Sequence, residues 1–310
     1  MSEKKLFLID GMMMIYRAYY ALIKTPRFTS RGMNTSAIFG FTNILFELLS
    51  KKKPTHIAVA FDTHAPTERE KYFFEYKANR QATPEDIINS VPHVKKILEG
   101  FKITVLESDG YEADDIIGTL AKKAETQGYE TYIVTFDKDF GQLVTNKTFI
   151  LRPPVFKSDW TILREEDILK RWEIKEVKQV IDILGLMGDA VDNIPGLPGV
   201  GEKTAVKLIN EFGSVENVIM NSDKLKGKLQ ETVKQYFEQA ILSKKLATIH
   251  CDVPIDLSDE SLESLMTGEA DKEKLSEIFS ELEFRTLAKR ILGENFCYTC
   301  TIFVAIRVLI

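Results

Sequence analysis

The sequence predicts an α/β protein whose first half is a parallel sheet covered on both faces and whose second half is helical. Three observations carry this. Short apolar, β-branched-rich runs alternate with segments of helical spacing up to about residue 160. Beyond it, helical spacing takes over and strand-like runs become scarce. The 310 residues, 44% hydrophobic and 28% charged, suffice for one large or two modest domains with real cores.

LFLI (6–9), HIAVAF (56–61), ITVLE (103–107) and TYIVT (131–135) read as four buried strands, with TFILRP (148–153) a candidate fifth. Between them, SAIFGFTNILFELLS (36–50) and ADDIIGTLAKKAETQG (113–128) carry helical spacing. Near-continuous apolar strands alternating with helices indicate parallel pairing. Residues 64–100 form an insertion between the second and third strands, rich in charge and aromatics. After it, WTILREEDILKRW, KEVKQVIDILGLMG, KTAVKLINEFG and GKLQETVKQYFEQAILSKKLATI are all expected to be helical. The expected organisation is an α/β core over 1–160 (insertion 64–100), a helical region over 161–290 with a hairpin at 189–210, and an atypical tail over 291–310. The tail is abruptly apolar from 294, yet shorter than the roughly 20 residues that span a bilayer. A buried terminal strand would fit it, and a truncated or altered reading frame fits better.

A net charge of −5 excludes a uniformly basic coat but not a local basic track beside an acidic centre. Three cysteines, Cys251, Cys297 and Cys300, make no disulfide framework and point to a reducing compartment. MSEKKLFLID lacks a signal-peptide pattern, so a cytoplasmic protein with no membrane partner is expected.

The strongest signal is positional. Asp10 ends the first strand, Asp62 follows the second, and Asp137 and Asp139 follow the fourth. GYEADD after the third places Glu112, Asp114 and Asp115 at a helix start. In an open parallel sheet the carboxyl ends of the strands face one crevice. A single Asp there is an ordinary cap or turn residue, and Asp114 or Asp115 can serve as one. Capping does not explain convergence. So many anions together demand cations, and an oxygen-only donor set favours Mg²⁺, with Mn²⁺ as a substitute. The cluster is large enough for two ions, which in phosphoryl chemistry sit roughly 3.5–4 Å apart. The substrate implied is a phosphodiester.

REKYFFEYKANR (69–80) interleaves Arg69, Lys71, Lys77 and Arg80 with Tyr72, Phe73, Phe74 and Tyr76. Cations for phosphates and aromatic faces for unstacked bases suit single-stranded nucleic acid. An amphipathic helix with core aromatics explains the segment as well, and the nearby carboxylates tip the balance. Lys77 and Arg80 are three apart and would share a helix face. Tyr16 and Arg17 offer similar groups on the first helix.

DAVDNIPGLPGVGEKTA (189–205) nearly matches a nucleotide phosphate loop. Glu202 intervenes before Lys203 and Thr204, and a helix rather than a strand precedes it, so that reading fails. Helix–hairpin–helix fits better: Gly199, Val200 and Gly201 form a tight turn, followed by Lys203 and Thr204 at a helix start facing a phosphate. A plain tight turn remains the competitor. Asp189 and Asp192, three apart, add two candidate ligands.

Together LIDG…YRAYYA, AVAFD, FEYKANR, GYEADDIIGTLA, TFDKDFGQLV, LMGDAVDNIPGLPGVGEKTA and LSKKLATI resemble the 5′ nuclease (5′–3′ exonuclease, flap endonuclease) domain of bacterial DNA polymerase I, over roughly residues 5–290. The resemblance implies a PIN-like nuclease core, a helical arch from the insertion, and a helix–three-turn–helix element. It implies Asp10, Asp62, Glu112, Asp114 and Asp115 around a first metal ion and Asp137, Asp139, Asp189 and Asp192 around a second. It also implies Lys77 and Arg80 at the scissile phosphate, with cleavage depending on Asp10 and Asp115, and Arg17 and Tyr76 among the DNA contacts. The implied substrate is branched or 5′-flap DNA, cut to a 5′-phosphate and a 3′-hydroxyl by a monomer, with K⁺ held at the hairpin carbonyls. Met12-Met13-Met14 after Gly11, and Phe136, depart from the family pattern without removing a ligand. Cys297-x-x-Cys300 carries no further ligand for zinc. The proofreading and polymerase domains that follow in the family do not follow here. A junction binder that does not cut has no need of the carboxylate set, and a related ribonuclease has less need of the duplex-gripping hairpin.

Overall fold

Each of the five apolar runs forms a strand, and a short sixth strand joins them. The structure is a computed structural model that describes residues 4–155, 158–255, 257 and 262–293. The expectations attached to residues 294–310, Cys297 and Cys300 included, lie outside the described residues. The elements begin β1 (Lys5–Asp10), α1 (Gly11–Ala21), α2 (Ser36–Lys52), β2 (His56–Ala60), α3 (Glu68–Tyr72), α4 (Glu85–Gly100), β3 (Thr104–Leu106) and α5 (Ala113–Thr126). β4 (Glu130–Val134), β5 (Thr148–Arg152) and β6 (Thr161–Leu163) follow, then α6 (Glu165–Trp172). The rest is helical: α7 (Gln179–Met187), α8 (Glu202–Phe212), α9 (Val215–Met220), α10 (Gly227–Gln235), α11 (Phe237–Ala247), α12 (Lys272–Glu281) and α13 (Arg285–Leu292). Among the described residues no helix is long and apolar enough to cross a membrane.

Contacts divide the chain into two units, each discontinuous in sequence. The smaller holds Lys4–Phe61, Thr83–Leu106 and the chain from Leu257. Its strands pair in parallel, with Leu6 opposite His56 and Ala58 opposite Thr104. Phe7, Leu8, Ile9, Ile57, Ala58 and Val59 are all buried, as both faces of a covered parallel sheet require. Gly40 lets α2 close on α1, since a Cβ there would meet the Ala18 Cβ at 2.7 Å. Asp10 ends β1 and caps α1, its Oδ1 accepting the Met13 N–H at 3.0 Å. Met12–Met14 thus occupy the first turn of α1 without disturbing the cap.

The larger unit holds Asp62–Ala82 and Glu107–Asp256. Here β4 and β5 are parallel and β6 is antiparallel to β5. Residues 160–172, expected to be wholly helical, instead give β6 and then α6. Thr161–Leu163 satisfy the free edge of β5, and the helix starts where Glu165, Glu166 and Asp167 favour an N-terminus. The long helix expected over 227–249 is likewise two helices that part at Tyr236. α7 packs on α8, α9 and α11. Gly185 admits the Lys244 backbone, and a Cβ there would lie 3.0 Å from the Lys244 Cα.

The insertion differs most from expectation. Between α3 and α4 the chain makes successive turns over 74–80 rather than a helix. Lys77 stands in the left-handed region at φ 57°, so Lys77 and Arg80 share a turn and not a helix face.

Candidate active site

Arg69 on α3 is 4% exposed and faces the start of α5. Its fork donates to both oxygens of Asp115, Nη1 to Oδ2 at 2.7 Å and Nη2 to Oδ1 at 2.8 Å. Nη1 also reaches Glu112 Oε2 at 3.2 Å. Burial alone would lower the Arg69 pKa, but the Asp115 hydrogen bonds and the Glu112 and Asp115 charges hold it above the ordinary value. Asp115 shifts the other way. Burial raises its pKa, and the Arg69 fork with the His250 and Glu112 N–H groups brings it below the ordinary value. The cation expected to face phosphate is therefore committed to the interior.

Glu112 collects three partners. Besides Arg69, it accepts the Tyr76 hydroxyl at 3.1 Å and the Lys77 ammonium at 2.5 Å. Lys77 donates its backbone N–H to the Asp192 carbonyl at 2.9 Å, and Arg80 Nη2 pairs with Asp192 Oδ1 at 2.5 Å. Asn79 and Asn193 complete the stitching, donating to the Ala190 and Glu75 carbonyls, each at 2.6 Å. The basic turn is thus laid against the 189–193 loop. Tyr76 is buried rather than open to a base, and Lys245 lies 3.2 Å over the Tyr72 ring. Phe74, at 91% exposed, is the most open aromatic of this segment, with Tyr72 half-exposed beneath Lys245.

After β4, Asp137 Oδ1 accepts the Asp139 N–H at 2.8 Å. Asp139 Oδ1 is buried and, among the described residues, has no hydrogen-bond partner. Burial first, and the Asp137 charge second, push the Asp139 carboxyl up to about 8. Burial also raises Asp137. Lys138 turns instead to Asp189 Oδ2 at 2.6 Å, and the Val191 N–H caps Asp189 Oδ1 at 2.8 Å. Phe136 leaves both aspartates in place.

Next to Asp189, Gly188 (φ 72°) and Gly196 (φ 59°) bring two backbones together. A Cβ on Gly196 would stand 2.3 Å from the Gly188 nitrogen, so no side chain fits. Gly196 is further tied to Ser243 Oγ at 2.9 Å. The turn then exposes Gly199 and Gly201 while burying Val200, and Lys203 and Thr204 follow in the first turn of α8. The helix–hairpin–helix geometry expected from the sequence is present.

Asp62 Oδ1 accepts the Ala113 N–H at 2.8 Å, and Asp114 sits half-buried on the first turn of α5. Asp62, His64, Tyr76, Lys77, Arg80 and Glu112 line a cavity of about 300 Å³. The larger unit therefore gathers Asp62, Glu112, Asp114, Asp115, Asp137, Asp139, Asp189 and Asp192 with Lys77 and Arg80. Asp10 and Arg17 belong to the smaller unit, and burial lowers the Arg17 pKa. Among the described residues no three of these carboxylates converge closely enough to hold an ion as they stand. Arg69, Lys77, Arg80 and Lys138 stand as their counter-ions. A hard divalent cation still fits the chemistry: the donors are all oxygen, and the buried Asp139 Oδ1 has no other partner. Asp115 fits least, since each of its oxygens already accepts two hydrogen bonds.

Comparison with known proteins identifies the family and the fold. Residues 5–173 match the 5′–3′ exonuclease N-terminal resolvase-like domain, and residues 175–273 match the 5′–3′ exonuclease C-terminal SAM fold. The chain is 42% identical over 296 residues to DNA polymerase I of Bacillus subtilis, covering 95% of this chain and 33% of that protein. It is 37% identical over 290 residues to DNA polymerase I of Mycobacterium tuberculosis, covering 94% and 32%. The chain thus spans about a third of the length of the curated relatives it matches. Its fold is similar to T5 5′-exonuclease with bound divalent metal ions (zinc), at TM-score 0.67 and 20% identity over 93% of this chain and 98% of that one. It is also similar to the catalytic core of Rad2 in complex with DNA substrate, at TM-score 0.60 and 19% identity over 94% and 92%.

Proposed function

We propose that this chain, which belongs to the 5′–3′ exonuclease family, is a divalent-metal-dependent nuclease that cleaves DNA phosphodiesters at 5′ flaps and 5′ ends. The observation that carries the reading is the all-oxygen carboxylate set beside a basic turn, with Asp139 Oδ1 buried and unpartnered. Relatives named DNA polymerase I, the metal-bound T5 5′-exonuclease and the DNA-bound Rad2 core support it.

In this reading Asp62, Glu112 and Asp114 hold one Mg²⁺ and Asp137, Asp139, Asp189 and Asp192 a second, with Mn²⁺ able to substitute. When bound, such ions make a nucleophile of water and neutralise charge on the phosphoryl group. The chain's own residues do the rest. Lys77 and Arg80 exchange their carboxylate partners for the scissile phosphate, where a cation stabilises developing negative charge. Arg17 and the open face of Phe74 engage single-stranded DNA. Gly199, Val200, Gly201, Lys203 and Thr204 present backbone and side-chain donors to duplex phosphates, which position DNA without reading bases. K⁺ at this exposed turn belongs to the same reading. The Gly188–Gly196 contact fixes the spacing between that grip and Asp189 and Asp192. The domain division at about residue 160 and a cytoplasmic setting complete the proposal, with primer and flap removal as its use.

A direct test is incubation with a 5′-flap DNA, a matched blunt duplex and single-stranded RNA, in Mg²⁺ or in EDTA. Flap cleavage in Mg²⁺ alone is expected. No flap cleavage, or cleavage that persists in EDTA, overturns the proposal.

A further inference from the structure

We propose that Arg69 is a positioning residue for the cleavage reaction: it withdraws Asp115 from metal coordination, keeps it as a fixed anion beside Glu112, and ties the start of α5 to the end of α11. The inference rests on the nuclease reading above. Its grounds are a filled carboxylate on one side of the pair and a fully engaged guanidinium fork on the other. A guanidinium has five N–H donors. Here Nε donates to the Leu246 carbonyl at 2.9 Å, Nη1 to Asp115, and Nη2 to Asp115 and, at 2.7 Å, to the Thr248 carbonyl, while Nη1 also ion-pairs with Glu112 at 3.2 Å. An ionised carboxylate has about four lone-pair sites. Those of Asp115 take the two Arg69 groups, the His250 N–H at 2.8 Å and the Glu112 N–H at 3.1 Å. Asp115 is 1% exposed, so a metal ion would reach it only by leaving a buried donor unpartnered.

Two consequences follow for the ion. The permanent charge of Arg69 cancels one of the two negative charges at Glu112 and Asp115. Glu112 turns Oε2 to Arg69 and Oε1 to Lys77, so Glu112 would be the carboxylate of this pair left to hold a divalent cation, with Asp115 fixing the helix start. The carbonyls of Leu246 and Thr248 lie at the C-terminus of α11, where a cation meets the negative end of the helix dipole. One side chain therefore sets the carboxylates of α5 relative to the helical segment after the hairpin. Lysine cannot replace it, because a point ammonium lacks the fork.

The test counts bound Mn²⁺ by electron paramagnetic resonance and measures unfolding in EDTA. Asp115→Asn is expected to bind as many Mn²⁺ as wild type, with affinity weakened about 10- to 100-fold, as for residues that orient ligands. Its metal-free unfolding midpoint falls. Asp114→Asn is expected to lose a Mn²⁺ and keep its midpoint. Arg69→Lys should lower kcat on a 5′ flap with KM unchanged. If Asp115→Asn does not fold, the wild-type protein decides: the Arg69 Nε–H resonance should stay protected from exchange when Mg²⁺ saturates the protein. Loss of that protection, loss of one Mn²⁺ by a folded Asp115→Asn with its midpoint intact, or a raised KM in Arg69→Lys overturns the inference. Wild-type protein that binds no Mn²⁺ and leaves the flap intact overturns the nuclease reading itself, and is distinct from all three.

Discussion

The larger unit holds two carboxylate pairs, the buried Glu112 with Asp115 and the half-buried Asp137 with Asp139, and they are treated in opposite ways. The first is neutralised from within by Arg69, which is as buried as the anion it serves. The second has Lys138 beside it in sequence, yet that ammonium goes to Asp189 and leaves Asp139 Oδ1 without a hydrogen bond. Burial raises both carboxyl pKa values, and only at Asp115, where a cation is built in, do the Arg69 fork and the N–H groups bring the net value below the ordinary one. A pair completed by the chain is part of the fold, whereas a pair left incomplete is poised for a cation from outside.

The largest expected effect breaks this contrast by removing the internal cation. Arg69→Met leaves Asp115 and Glu112 buried with no compensating fork, and breaking a buried pair this way costs about 3–5 kcal/mol. Asp139→Asn replaces a carboxyl that holds its proton up to about 8 with a neutral amide, and should leave metal-free stability below that pH unchanged or raise it. Urea unfolding in EDTA reads both. Equal losses in the two variants would erase the distinction between the pairs.

What the sequence made legible follows the same line. Carboxylates at strand ends, the alternation of strands and helices, and the glycine hairpin are local patterns, and each stands where it was expected. Arg69 was legible only as one more cation in a basic, aromatic strip, because its partners are 46 and 177 residues away. Spacing carries no trace of such pairs. Tyr76 is hidden for the same reason, since it is buried with its hydroxyl on Glu112, 36 residues away. β6 was hidden by brevity: three residues next to a strong helical pattern give no period of their own. The turn at Lys77 depends on a left-handed backbone that a lysine does not advertise.

The two pairs should also part company with pH. Asp115 has a folded pKa below its ordinary value, so its stabilisation is full above that value and lost as pH falls through the folded one. Asp139 is the reverse. It keeps a proton in the folded state up to about 8 that the unfolded chain gives up near 3.8. Between those values the native state binds more protons, so metal-free stability declines as pH rises, by up to about 1.4 kcal/mol per unit for one proton. Urea midpoints in EDTA at pH 5 and pH 8 should differ in that sense. Asp139→Asn should flatten the slope, and saturating Mg²⁺ should reverse it. An unaltered slope in Asp139→Asn would mean that this carboxyl does not carry the effect.

The smallest expected effect concerns the cation that is neither fixed nor absent. Arg80 pairs with Asp192 while 49% exposed, in contrast to the buried fork of Arg69. Pairs this open contribute about 0.2–1 kcal/mol, so Arg80→Ala should cost metal-free stability no more than that. The same figure sets its effect on the ion. If Asp192 must release Arg80 before serving a metal, losing the competitor should tighten Mn²⁺ binding, by up to about 5-fold. Flap cleavage should nevertheless fall, because the guanidinium that left Asp192 is no longer available to the phosphate. Tighter metal with slower cutting is the signature of a cation exchanged between carboxylate and substrate. Weaker Mn²⁺ binding in Arg80→Ala would instead make Arg80 a support for the acidic loop, and would place it with Arg69.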